Sequence, residues 1–196
     1  MVKKRGQGQG LGNDSSAIRR REILSGLAAL LPVAAVPSLA FADNSPVKSF
    51  VGTYAYAGDA AERKARDAAI DDVVSSMTPI ARGIARDKLQ EATAIPSHVV
   101  FAADTKNLTV TEKEPLTAPL DGSPVDVKGY DDSDMKLTYE IAKDQIVQKL
   151  SGDGKGRKTN YALDAASLRV HVHVYAKQLP KPLDYDLTFA RPQSKG

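Results

Sequence analysis

The spacing of hydrophobic residues divides the chain into a helical stretch and a longer stretch with strand periodicity. Between Asp59 and Gln90 the apolar residues recur three and four positions apart, which predicts one apolar face along a helix. Proline is favoured in the first turn of a helix and disfavours helical geometry at the residue before it, so Thr78-Pro79 favours a break. We expect two helices, over about 59–76 and 79–92, or alternatively one kinked helix. The apolar set comprises Ile70, Val73, Val74, Met77, Ile80, Ala81, Ile84 and Leu89.

From Ile95 onward the apolar positions alternate with period two, in short runs separated by turn residues. A first strand is also predicted before the helices, at 50–56, and 115–119 is interpreted as a connection between strands. The clearest alternation is that of Met135, Leu137, Tyr139 and Ile141, of Val170, Val172 and Val174, and of Tyr185, Leu187 and Phe189. The later strands are predicted at 98–102, 108–111, 125–128, 135–141, 145–150, 159–163, 167–176 and 183–190.

The short links between these strands predict an antiparallel meander, because parallel neighbours need crossovers of about a dozen residues. Each strand has only one apolar face, and one or two helices cannot cover the apolar faces of eight strands. Such a sheet must curl around its apolar side. We therefore predict a mainly β fold of about eight or nine strands. They close into an up-and-down barrel, with a helical insert at about 59–92 between strands 1 and 2.

Charge is concentrated near the N-terminal end. The sequence has a formal net charge of +3, from 27 Lys and Arg against 24 Asp and Glu. Residues 1–42 hold six of the basic and two of the acidic side chains, which leaves the rest close to neutral. A near-neutral body gives no electrostatic reason to expect nucleic acid as a partner. The sequence has no cysteine, which excludes disulfides, thiol nucleophiles and thiolate metal sites.

The N-terminal segment resembles a bacterial twin-arginine export signal. Arg20 and Arg21 precede two apolar residues after one intervening position, and the 20 residues that end at Ala42 carry no charge. The small-x-small pattern of residues 40–42 predicts cleavage between Ala42 and Asp43.

The resemblance implies a processed protein that uses the export machinery and is periplasmic or secreted. We expect a signal peptide at 1–42 and a single barrel domain at 43–196, with no stable membrane span after cleavage. A membrane anchor retained at 23–42 is the alternative.

The order of one strand, two helices and a long meander resembles the calycin group, and within it the fatty-acid-binding proteins more than the lipocalins. Gly52-Thr53-Tyr54 matches the position of a Gly-x-Trp near the start of the first strand in that group, with tyrosine in place of tryptophan. A basic residue from the last strand commonly stacks over this aromatic ring, and Arg191 is the matching residue. The resemblance implies a Tyr54–Arg191 pair and a barrel that binds a small apolar molecule.

Aromatic residues on the apolar strand faces are the candidates for lining a ligand site. Met77 and Ile84, on the helical face, are predicted to line its entrance, with the helices over one barrel mouth. The inward tyrosines equally suit a filled core in which each hydroxyl has a partner. The predicted lining residues are Phe101, Tyr139, Tyr161, Tyr185 and Phe189.

His171-Val172-His173 places two histidines on one face of a strand, a spacing that could hold part of a metal site. Alternation puts the neighbouring valines inside, so we expect both histidines to face water. No catalytic constellation is identifiable and no cofactor is expected. The function predicted is binding of a lipid or another apolar small molecule outside the cytoplasm. The alternative is a ligand-free interaction module that docks on an envelope protein through its helices or outer strand face.

Overall fold

The computed structural model describes residues 46–129, 132–164 and 167–192. The predicted leader, with Arg20, Arg21, Ala42 and Asp43, lies outside the described residues. A short 3-10 helix at Pro46–Ser49 precedes two α-helices and ten strands. These elements are β1 (Gly52–Tyr56), α1 (Ala60–Val74), α2 (Pro79–Ala92), β2 (His98–Ala103), β3 (Asn107–Thr111), β4 (Pro115–Pro119), β5 (Val125–Lys128), β6 (Asp134–Ile141), β7 (Gln145–Gly152), β8 (Lys155–Asp164), β9 (Ser167–Ala176) and β10 (Leu183–Ala190).

The ten strands form one antiparallel sheet in the order β4-β3-β2-β1-β10-β9-β8-β7-β6-β5. The first strand lies between β2 and β10, which places the first and the last strand side by side. The sheet curls into a nearly closed barrel, because its end strands β4 and β5 touch without being joined by a ladder of hydrogen bonds. The predicted mainly β, up-and-down barrel with two helices between strands 1 and 2 is confirmed, with ten strands described where eight or nine were expected.

The strand at Pro115–Pro119 corrects the interpretation of this segment as a connection. Pro115 pairs with Thr111 and Pro119 pairs with Asn107, so both prolines stand at the ends of the strand. Proline cannot donate to a ladder and is therefore tolerated at the ends of strands and at sheet edges. Because β4 is an end strand of the sheet, its two prolines disrupt no central ladder.

The strands alternate in burial as their sequence pattern predicts. On β6, Leu137 and Tyr139 are buried, whereas Lys136 and Glu140 are exposed. On β9, β10 and β8 the same rule points one row of side chains into the barrel and the other outward. One continuous core results, formed from every strand except β5 together with both helices.

The first helix is stabilised by a cap at its N-terminus and by packing of one face against the sheet. The side chain of Asp59 accepts a hydrogen bond from the Glu62 backbone N–H at 2.9 Å, which caps α1. Ile70, Val73 and Val74 are buried, and the helix packs against β10. The Thr188 hydroxyl on β10 donates to the Glu62 carboxylate at 2.8 Å.

The second helix packs mainly against α1, and the prediction of a continuous apolar face along it is wrong. Leu89 is its buried residue, whereas Ile80 and Ile84 are 82% and 57% exposed. Polar contacts hold α2 instead, including an ion pair between Arg86 and Asp71 of α1. In the part of the chain that the structure describes, no helix is long and apolar enough to cross a membrane.

Candidate functional site in the barrel interior

The aromatic residues predicted to line a ligand site all lie inside the barrel. The exposed fractions of Phe101, Tyr139, Tyr161, Tyr185 and Phe189 range from 0 to 6%. Phe101 on β2 meets Tyr161 on β8 edge to face, with ring centroids 5.1 Å apart. Three strands separate β2 from β8 in the sheet, so this contact crosses the barrel. The structure brings Phe101 and Tyr161 together, whereas Phe189 packs against Tyr56 instead, at 5.5 Å.

Several polar side chains share this interior with the aromatic rings. They come from the turn between β3 and β4, from β6, from β7 and from β8. We call this set the interior polar cluster. It consists of Glu112, Tyr139, Gln148, Arg157, Thr159 and Tyr161.

A bidentate ion pair between Arg157 and Glu112 lies at one end of the cluster. Arg157 Nη1 lies 2.9 Å from Glu112 Oε2, and Arg157 Nη2 lies 3.1 Å from Glu112 Oε1. The Tyr161 hydroxyl donates to the same Glu112 Oε1 at 2.8 Å. The side chains of Arg157 and Glu112 are only 12% and 10% exposed. Fork-to-fork pairing of this kind is both stronger and more directional than a single charge contact.

Further polar contacts lead from the ion pair toward the open seam of the barrel. The Tyr161 hydroxyl, which donates its one hydrogen to Glu112, lies 3.5 Å from Gln148 Oε1, and Gln148 Nε2 donates to the Tyr139 hydroxyl at 3.0 Å. The Tyr139 hydroxyl in turn donates to the Leu116 carbonyl oxygen at 2.9 Å. This last bond joins β6 to β4 beside the place where no backbone ladder joins β4 to β5. Side chains inside the barrel therefore close the seam that the backbone leaves open.

Thr159 differs from its neighbours in the cluster, because its hydroxyl has no hydrogen-bond partner within the described ranges. The residue is 0% exposed and lies on β8, between Gln148 of β7 and Val172 of β9. A buried hydroxyl without a partner costs about 1–3 kcal/mol in proteins. The hydroxyl of Thr159 is thus available to a further partner inside the barrel.

Burial also changes the acidity of the interior phenols. Loss of hydration, reinforced by the negative charge of Glu112, raises the pKa of Tyr161 well above its usual value. Burial and the nearby Glu62 carboxylate raise the pKa of Tyr56 to about 12. Both phenols therefore stay neutral hydrogen-bond donors throughout the physiological pH range.

Four residues of the cluster, Glu112, Gln148, Arg157 and Thr159, are absent from the sequence prediction. Gln148 stands between the inward Ile146 and Leu150, and Thr159 stands two positions before the inward Tyr161. Their place in the period-two pattern was therefore an available signal. Glu112 lies in a turn, where the period-two pattern does not predict whether a side chain points into the barrel or outward.

The residues proposed for the entrance differ in exposure. Met77 is partly buried against the core, whereas Ile84 projects into solvent. The structure therefore does not place Met77 and Ile84 together on one buried surface, as residues lining a common entrance would be.

The Tyr54–Arg191 pair lies near the start of β1 and the end of β10. The Arg191 guanidinium carbon is 5.2 Å from the Tyr54 ring centroid, and Nη2 donates to the Tyr54 hydroxyl at 3.0 Å. Arg191 also donates to the Ser49 carbonyl oxygen at 2.7 Å. These contacts tie the 3-10 helix, the first strand and the last strand together, which is a structural role.

His171 and His173 lie on the outer face of β9, and each pairs with an aspartate of β10. His171 Nδ1 is 2.8 Å from Asp186 Oδ1, and His173 Nδ1 is 2.7 Å from Asp184 Oδ1. No group of three or more His, Asp or Glu side chains in the described ranges is arranged to hold a metal ion. The histidines belong to a shallow outer groove of about 260 Å³, which they line with Lys158 and Asn160.

A second groove, of about 300 Å³, lies beside β5, β6 and β7. Its lining residues are Asp126, Asp134, Met135, Lys136, Ser151 and Gly152. Neither groove includes any of the predicted ligand-lining aromatic residues. The two grooves therefore lend no support to a ligand site among these aromatic residues.

Comparisons with known proteins give similarity at the level of structures only. No protein-family model matches the sequence, and no curated protein matches it. A fatty acid binding protein of Schistosoma mansoni in complex with arachidonic acid is 13% identical, with a TM-score of 0.47, covering 76% of this chain and 100% of that chain. Fatty-acid-binding protein 1 of Echinococcus granulosus is 9% identical, with a TM-score of 0.48 and coverages of 74% and 99%. The wild-type fluorescent protein UnaG is 17% identical, with a TM-score of 0.49 and coverages of 74% and 99%. At these values the similarities carry no information about what this chain binds.

Removing Glu112 should destabilise the protein far more than removing an exposed glutamate. Glu112→Ala leaves the Arg157 charge buried without its carboxylate, and we expect a loss of about 3 kcal/mol in the free energy of unfolding. Glu140→Ala, which removes the exposed partner of Lys149 on the outside of β6, is the matched control and should cost at most about 1 kcal/mol. Urea unfolding measures both, and equal losses would contradict a buried ion pair.

Stability should fall as the pH rises above about 10, the usual pKa of a tyrosine. The unfolded chain then releases phenolic protons that folded Tyr56 and Tyr161 retain, so the unfolded state binds fewer protons and is favoured. Below pH 10 this contribution to stability is fully present. Tyr161→Phe should make the decline between pH 10 and 12 less steep in urea unfolding experiments. Tyr175→Phe controls for loss of a phenol from the outer face, and the same change of slope in both variants would contradict the assignment.

Proposed function

We propose that this protein binds a small apolar or amphipathic molecule inside its barrel. The observation that carries the proposal is the interior polar cluster, set among aromatic rings and holding the unpaired, fully buried hydroxyl of Thr159. A core that served stability alone would be at least as stable with apolar residues in place of the Glu112–Arg157 pair. Polar groups placed among aromatic walls are typical of ligand sites, where they fix the orientation of a mainly apolar molecule.

The open seam supports the same proposal. Strands β4 and β5 can separate without breaking a backbone ladder, because no ladder joins them in the described part of the chain. The bond from the Tyr139 hydroxyl to the Leu116 carbonyl oxygen bridges β6 and β4 from inside. A molecule that enters the interior between these strands would break a few side-chain contacts at the seam and form contacts with the same side chains in their place. The docking module considered from the sequence remains a prediction.

Added bulk in the interior should weaken the binding of an apolar probe. Val172 is fully buried on β9, opposite Thr159, and Val172→Phe adds bulk there. We expect wild-type protein to bind Nile red saturably at one site, and Val172→Phe to weaken that binding at least about tenfold. His171→Phe, the neighbouring outward position, is the matched control and should bind like the wild type.

Circular dichroism and thermal unfolding should accompany the titration, because added bulk in a packed core costs about 1–3 kcal/mol. Mass spectrometry of protein purified from its own host should also detect a retained apolar molecule. Equal weakening in both folded variants, or no saturable binding by the wild type, would contradict the proposal.

We further propose that the protein acts outside the cytoplasm after twin-arginine export. The support is the sequence alone: the paired arginines, the uncharged stretch and the small-x-small pattern. The mature N-terminus should be Asp43, as Edman degradation or terminal peptide mass spectrometry will show. Replacing both Arg20 and Arg21 with lysine should retain the unprocessed chain in the cytoplasm. Recovery of intact Met1 from the membrane fraction would instead identify an anchor.

A further inference from the structure

The charge of the interior polar cluster limits the kind of ligand that it can accept. Arg157 is already neutralised, because both of its terminal nitrogens contact the two carboxylate oxygens of Glu112. Tyr161 adds a third donor to that carboxylate. The cluster as described contains no further charged side chain, so its net charge is zero.

A carboxylate brought into this interior would meet the negative charge of Glu112 in a medium of low dielectric constant. Like charges placed together under these conditions cost several kcal/mol. A cation would meet Arg157 with the same result. The two charges that could compensate a charged head group, those of Glu112 and Arg157, are already paired with each other.

An uncharged hydrogen-bonding group fits the same place. Thr159 lies two positions from both Arg157 and Tyr161 on the inward row of β8, and its hydroxyl can both donate and accept. Pairing that hydroxyl removes the cost of leaving it buried without a partner. Across the sheet, Thr159 has the apolar Val172 beside it on β9 and Gln148 beside it on β7.

We infer that the barrel interior selects an apolar molecule with an uncharged hydrogen-bonding head group, such as an alcohol, in preference to a fatty-acid carboxylate. Thr159 binds the head group, and Glu112 acts as the specificity-determining residue that excludes a carboxylate by holding Arg157. This inference rests on the proposed function, since it presupposes that the interior binds a ligand.

Displacement of Nile red by dodecan-1-ol and by dodecanoate at pH 8 tests the preference with chains of equal length. The wild type should bind dodecan-1-ol at least about tenfold more tightly than dodecanoate. Glu112→Gln removes the competing carboxylate and frees the charge of Arg157, and it should reverse the preference. Glu140→Gln, which changes an exposed glutamate of the outer face, is the matched control and should keep the wild-type ratio.

A second variant keeps the test decisive if Glu112→Gln does not fold. Thr159→Val preserves the shape of the side chain and removes its hydroxyl, so it should weaken dodecan-1-ol about fivefold and leave dodecanoate unchanged. Equal or tighter binding of dodecanoate by the wild type would overturn the inference and leave the proposed function standing. Saturable binding of Nile red without displacement by either compound would also overturn it. Failure of Nile red itself to bind would instead remove the proposed function.

Discussion

The whole structure depends on the need to remove a one-sided apolar sheet from water. Ten strands carry apolar residues on one face and polar residues on the other, and the two helices are too few to cover them. Curling removes the apolar face of the sheet from water, and it also brings the two end strands of the sheet together. The backbone does not complete the closure, because β4 and β5 touch without a ladder. Tyr139 reaches across from β6 to the Leu116 carbonyl and supplies a side-chain bond at that place.

This way of closing the barrel has an electrostatic consequence. The phenol of Tyr139 needs a polar partner on its other side, which Gln148 provides, and Gln148 leads on to Tyr161 and Glu112. A carboxylate buried at that point would be very unfavourable alone, and Arg157 compensates it. The interior polar cluster is thus a connected network in which each member except Thr159 is paired. Removing any one of the paired members leaves a buried group unsatisfied, so the contributions of these members to stability are coupled.

The sequence pattern was sufficient for the fold because period two is a property of the whole strand. It located the inward Tyr139 and Tyr161. The pattern failed where the place of a segment in the sheet decides whether it forms a strand. Two prolines marked β4 as a connection, although the edge of a sheet tolerates them.

The site was harder to predict than the fold for two reasons. A rule that sends polar residues outward hides Gln148, and the strand predicted at 159–163 left out Arg157, although β8 begins at Lys155. No local pattern reports that Glu112, in a turn, meets a strand 45 residues away. The helical periodicity likewise defined an apolar face without saying what would cover it, and on α2 the attachments to α1 leave Ile80 and Ile84 in solvent.

The same network links the closure of the barrel to what its interior can hold. Tyr139 bridges β4 and β6, and it is one hydrogen bond away from Gln148, which is paired in register with Thr159. A molecule that pairs with Thr159 therefore lies next to the side chains that hold the seam together. If the head group is neutral, it adds a partner to the network and breaks none of the existing bonds. If it is a carboxylate, it competes with Glu112 for Arg157 and Tyr161, which weakens the chain of contacts that extends to the seam. Under the proposed function, ligand selectivity and barrel closure are consequently set by one group of side chains.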